Sequence, residues 1–76
     1  MDERHRRAAT RGEPRATTTF DVRPVRGSRM WEVWMGSHRG RTLYDSEPEA
    51  RLGAREWARA WQNTSGDAVR VYVRAA

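Results

Sequence analysis

From Phe20 onward, apolar and polar residues first alternate with period two, then recur with a helical period, then alternate again. In FDVRP, Phe20, Val22 and Pro24 fall on one side and Asp21 and Arg23 on the other, which predicts a half-buried strand. The turn RGSR leads into MWEVWM. There Trp31, Val33 and Met35 share one face while Met30, Glu32 and Trp34 share the opposite one, so the two segments are expected to form a hairpin. A second turn, GSHRG, is predicted between Gly36 and Gly40, and RTLY continues as a short third strand in which Leu43 and Tyr44 compete for the inside.

DSEPEA then announces a helix. Ser46 is placed to accept from the backbone N–H of Glu49, Glu49 to reach back to the cap, and Pro48 sits in the first turn where its missing N–H costs little. The spacing predicts a helix from about Glu47 to Gln62, with Ala50, Ala54, Trp57 and Trp61 on one narrow face and Ala58 beside them. Both tryptophans of REWARAW therefore point where the helix covers a sheet and are read as core. The alternative is a platform for stacking bases. Gly53 weakens the helix interior by about 1 kcal/mol relative to Ala, so close packing against a strand is expected there. NTSGD ends the helix, and AVRVYVR alternates without fault, Val69, Val71 and Val73 inward against Arg70, Tyr72 and Arg74 outward.

The expected fold is α+β: a four-stranded mixed sheet in the order β-β-β-α-β, with one helix packed on one face. A right-handed crossover through the helix makes the last strand parallel to an earlier one. Placing it beside the first gives the order 3-2-1-4. Pro24, which cannot donate a ladder hydrogen bond, leaves 1-2-3-4 open.

The opening MDERHRRAATRGEPRATT has almost no large apolar residue and mixes both charges, so residues 1–18 are read as a disordered basic tail and 19–76 as a single small domain. A basic arm that orders on nucleic acid is the functional alternative, diluted by Asp2, Glu3 and Glu13. The net charge of +5 suits an acidic partner such as DNA or RNA. Its distribution argues for less: residues 1–18 and 19–45 each carry five Arg against three acids, and residues 46–76 five against four. Lysine is absent, as codon bias in a genome rich in G and C would produce without selection for phosphate binding.

The β-β-β-α-β order, with W-x-V at Trp31 to Val33, S-x-x-E-A at Ser46 to Ala50, and alanines at Ala54 and Ala58, resembles a family of short uncharacterised prokaryotic proteins that form a domain of unknown function. The resemblance spans residues 20 to 74 and implies no functional residues. The first three strands and the helix are also similar to the arm-type DNA-binding domains of phage integrases, whose sheet enters the major groove. The strong fourth strand departs from that pattern, and the 76 residues hold no recombinase catalytic domain.

Candidate chemistry is sparse. The chain has no cysteine, and His5 and His38 lie far apart without a patterned third ligand, so neither a thiolate site nor a metal site is expected. No P-loop, no G-x-G-x-x-G after a strand and no Ser-His-acid arrangement occurs, so no enzymatic activity and no cofactor are expected. No apolar run approaches membrane-spanning length, and the protein is expected to be soluble and cytoplasmic, with no membrane partner.

What remains is the sheet face that the helix leaves open. It is expected to display Arg23, Glu32, Trp34, Arg70, Tyr72 and Arg74, large side chains that suggest contact rather than solvation. The candidate interaction face is Arg23, Trp34, Arg70, Tyr72 and Arg74. A homodimer anchored by Trp and Arg is the favoured use, with Asp21 and Glu32 pairing with Arg across a two-fold; nucleic-acid binding is the alternative. Arg51, Arg55 and Arg59 form a secondary basic stripe on the outer side of the helix. It reads either as a solvated face partly neutralised by Glu47 and Glu56 or as a phosphate-contacting one.

Overall fold

In the computed structural model, which describes residues 16–74, the alternating segments pair into one sheet of order β3-β2-β1-β4. The elements are β1 (Thr17–Pro24), β2 (Trp31–Met35), β3 (His38–Arg39), helix α1 (Glu47–Ser65) and β4 (Ala68–Val73). β1 pairs antiparallel with β2, Val22 opposite Val33, and parallel with β4, Phe20 opposite Val71. The last strand therefore lies beside the first.

Pro24 does not obstruct this order, for a reason visible in the ladder. The Trp31 N–H donates to the Tyr44 carbonyl at 2.8 Å, away from β1, so Pro24 and Trp31 face each other as a pair without mutual hydrogen bonds. On the β4 side the last bond runs from the Arg74 N–H to the Val22 carbonyl, before Pro24 is reached. Neither neighbour asks position 24 for a donor.

Residues 1–15, most of the expected tail, lie outside the described residues. The tail's expected boundary at residue 18 moves: β1 begins at Thr17, and Thr18 pairs with Val69. Alternation of polarity begins only at Phe20, because the three consecutive threonines before it show none, although each suits a strand.

The third strand is also displaced. The chain turns at Gly36 and Ser37 and pairs at once, Met35 opposite His38 and Trp34 opposite Arg39. The Gly40 N–H then donates to the Val33 carbonyl at 2.8 Å, Arg41–Leu43 leaves the edge, and the chain returns only at Tyr44, which exchanges two backbone bonds with Trp31. The competition at RTLY is settled by this detour: Leu43 is exposed and Tyr44 packs against the core.

Helix α1 starts as its cap dictates, the Glu49 N–H donating to the Ser46 hydroxyl at 3.3 Å. It runs nearly one turn past Gln62 and stops at Gly66, whose φ of 81° closes the end with an N–H bond back to the Gln62 carbonyl. Its fully covered stripe is Ala50, Ala54 and Ala58, resting on Phe20, Val22 and Val33. Small side chains let the helix approach the sheet closely, and burying Phe20 alone contributes about 1.5 to 3 kcal/mol.

Trp57 and Trp61 pack against this core but are half-buried, one on each margin of it rather than at its centre. Trp57 meets Phe20 edge to face, ring centroids 5.3 Å apart. The Trp61 indole N–H donates to Thr18 Oγ1 and Asp67 Oδ2, both at 3.2 Å, and Thr18 donates to the same carboxylate at 3.0 Å. These three side chains join the start of β1, the end of α1 and the entry to β4. Gly53 is closely approached as expected, but by a side chain outside the strands: a Cβ there would collide with the Tyr44 phenol.

Candidate interaction face

Cross-strand partners share a face, so the register alone assembles the open side of the sheet. One row runs Arg39, Trp34, Asp21, Tyr72 across all four strands, with Glu32 and Arg23 as the neighbouring pair and Arg70 opposite Thr19. Four of the five candidate face residues, Arg23, Trp34, Tyr72 and Arg74, gather around Asp21. Arg70 stands beside Tyr72, its guanidinium 3.5 Å from the phenol oxygen.

Asp21 organises the group. It is only 6% exposed, flanked by Trp34 on β2 and Tyr72 on β4. A carboxylate so covered requires partners, and it has two: Arg74 Nε donates to Oδ1 at 2.9 Å and Arg23 Nη2 to Oδ2 at 3.3 Å. The same two guanidinium groups lie near aromatic rings, Arg23 at 4.8 Å from the Trp34 centroid and Arg74 at 5.3 Å from the Tyr72 centroid. Each such contact contributes about 0.5 to 1 kcal/mol at an exposed site. Across the sheet, Arg39 reaches Glu32 at 3.9 Å.

Asp21 and Glu32, expected to pair with arginines of a second copy, each have an arginine partner within the chain. Arg39, which the sequence places inside a turn, joins the face for the same reason. Trp34 is half-buried and its indole N–H is covered without a hydrogen-bond partner, whereas Tyr72 is 42% exposed. Exposure rises toward both rims of the face, at Arg39 on β3 and at Arg70 and Tyr72 on β4.

The secondary stripe is a separate surface, on the side of α1 that turns away from the sheet. Arg51 bonds Glu47 one turn back, Nε to Oε2 at 3.0 Å, which leaves Arg55 and Arg59 beside the exposed Leu52, Glu56 and Asn63 along a shallow groove. The structure does not bring this stripe to the open face.

A small cleft of about 260 Å³ lies between β3 and α1, lined by Val33, His38, Tyr44, Gly53 and Trp57 among others. His38 stands edge-on to Trp57 at 6.4 Å, a packing contact. Among the described residues no group of three or more His, Asp or Glu is placed to hold a metal ion, and no helix is long and apolar enough to cross a membrane. No protein-family model matches the chain, and no curated protein or solved structure matches it.

Proposed function

We propose that this chain is a non-catalytic interaction module of the cytoplasm, working without a cofactor, that associates with a second copy of itself through the Trp, Tyr and Arg surface of the open sheet face. The observation that carries the reading is the β4 rim, where Tyr72 and Val73 are 42% and 43% exposed beside Arg70, a cation with no carboxylate partner among the described residues. Large exposed rings next to arginines are the side chains that anchor protein interfaces.

The same geometry weighs against a base-stacking platform. Arg23 already lies over Trp34 and Arg74 over Tyr72, and the covered Asp21 holds both guanidinium groups in place. A nucleobase would have to displace them and approach a carboxylate.

Sedimentation velocity at several concentrations tests the proposal. Replacing Trp34 and Tyr72 together by Ser is expected to shift a dimer toward monomer while the helix-covered core stays folded. A monomeric wild type that binds single-stranded DNA or RNA would contradict it. Its log-log salt slope would also have to fall by about 0.7 to 0.9 for each phosphate left unneutralised when Arg70 and Arg74 are replaced.

A further inference from the structure

The two edges of the sheet differ in what they offer a partner. β3 is two residues long and the chain then veers away at Gly40, a short, irregular edge of the kind that discourages pairing. β4 is six residues long and regular. Its sequence AVRVYV holds no proline and no lysine, two common devices that blunt an edge.

The direction of the β4 backbone groups follows from the bonds already made. Ala68 donates to the Ala16 carbonyl and Arg74 to the Val22 carbonyl, both at 2.8 Å toward β1. Alternation sends the N–H and C=O groups of Val69, Val71 and Val73 the other way, where no described residue meets them. Their side chains point to the helix side, and Val73 is 43% exposed there.

We propose that β4 pairs antiparallel with β4 of a second copy about a two-fold axis at Val71, joining the two sheets into one of eight strands. The proposal rests on the self-association read above and narrows its contact to the β4 rim, with Arg70 and Tyr72 in the contact and Trp34, two strands away on β2, outside it. The register is chosen by the side chains. With the axis at Val71, all three outward residues are paired, Val71 with its own copy and Val69 with Val73, making about six interchain backbone bonds. Arg70 then lies opposite Tyr72 of the other copy, Arg74 opposite Ala68, and the valines form one apolar stripe beneath.

A shift of the axis by one residue removes these advantages. An axis at Arg70 sets Arg70 against Arg70, and one at Tyr72 sets Arg70 against Arg74 twice; like charges directly opposite are destabilising. Either shift also leaves an outward valine without a valine opposite. In the favoured register the axis is perpendicular to the sheet, so both helices lie on one side and the two open faces form a continuous surface on the other.

Two experiments read the edge itself. Val73→Pro removes an outward N–H that the protein's own sheet does not use, and proline is tolerated at such edge positions. The variant is expected to keep its far-ultraviolet circular dichroism and to weaken the dimer by about tenfold or more, since a symmetric pair of hydrogen bonds is removed.

Because the chain has no cysteine, Arg70→Cys and Tyr72→Cys can be mixed as separate chains. Residues opposite each other without mutual hydrogen bonds have Cα atoms about 4.5 Å apart, within disulfide range. The mixture is expected to cross-link under mild oxidation much faster than either variant alone. Faster cross-linking of Arg70→Cys alone would overturn the register. A wild-type dimer unaffected by Val73→Pro and without cross-linking in the mixture would overturn the edge pairing while leaving self-association standing. A wild type monomeric at all concentrations would overturn both.

Discussion

The two faces of the sheet are built from the same strands, and alternate residues give them opposite characters. The covered face closes by shape: three alanines bring α1 down onto Phe20, Val22 and Val33, and Tyr44 fits over the bare backbone of Gly53. The open face closes by charge, with Asp21 drawing Arg23 and Arg74 inward across the rings of Trp34 and Tyr72. Shape complementarity covers Phe20, Val22 and Val33 and leaves Val73, at the β4 margin of that face, 43% exposed. Charge pairing at the centre of the open face leaves Arg70 and Tyr72 at its β4 rim exposed, and the proposed association uses that rim.

The largest effect that could break this contrast is on the covered side. Phe20→Ala empties a fully buried site and is expected to cost about 3 to 5 kcal/mol, enough to unfold so small a domain. Thermal denaturation checks it. A variant that melts like the wild type would mean that the alanine stripe and its flanking tryptophans hold the fold without the phenyl ring.

A smaller effect carries a diagnostic sign. On helix propensity alone Gly53→Ala gains about 1 kcal/mol, but the added methyl meets the Tyr44 phenol, and overpacking of this kind costs about 1 to 3 kcal/mol. The substitution is expected to destabilise the wild type. In a Tyr44→Ala background the ring is gone, and the same change is expected to stabilise by about 1 kcal/mol. A double-mutant cycle in chemical denaturation measures the reversal, and a substitution that stabilises in both backgrounds would show that Tyr44 does not pack on the helix.

Much of the fold is legible in the sequence because its signals are local. The Ser46 cap, the alanine steps and the alternation of Val69, Val71 and Val73 each state their structure within a few residues. The third strand is not, since two glycines at Gly36 and Gly40 resemble the ends of one loop. Only the pairing of His38 and Arg39 with β2, closed by the bond from Gly40 to Val33, shows that the chain has already rejoined the sheet between them. Thr17–Thr19 escapes for the opposite reason: threonine has strand preference but no polarity pattern to reveal it.

The candidate face is legible as a set of residues and not as an arrangement. Outward positions on alternating strands follow from period two, which names Arg23, Trp34, Arg70, Tyr72 and Arg74. Which of them meet depends on strand order. Arg74 lies 53 positions from Asp21 in sequence, and only the parallel pairing of β1 with β4 makes them neighbours. The role of Asp21 as the anchor of the face is invisible until that order is known.

Amide hydrogen exchange along β4, followed residue by residue across a range of protein concentrations, tests the central claim most directly. The amides of Arg70 and Tyr72 point toward β1 and are expected to be protected at every concentration. Those of Val69, Val71 and Val73 point outward and are expected to exchange quickly in dilute solution and slowly as concentration rises. Outward amides that remain unprotected at all concentrations, beside inward amides that stay protected, would contradict association through this edge.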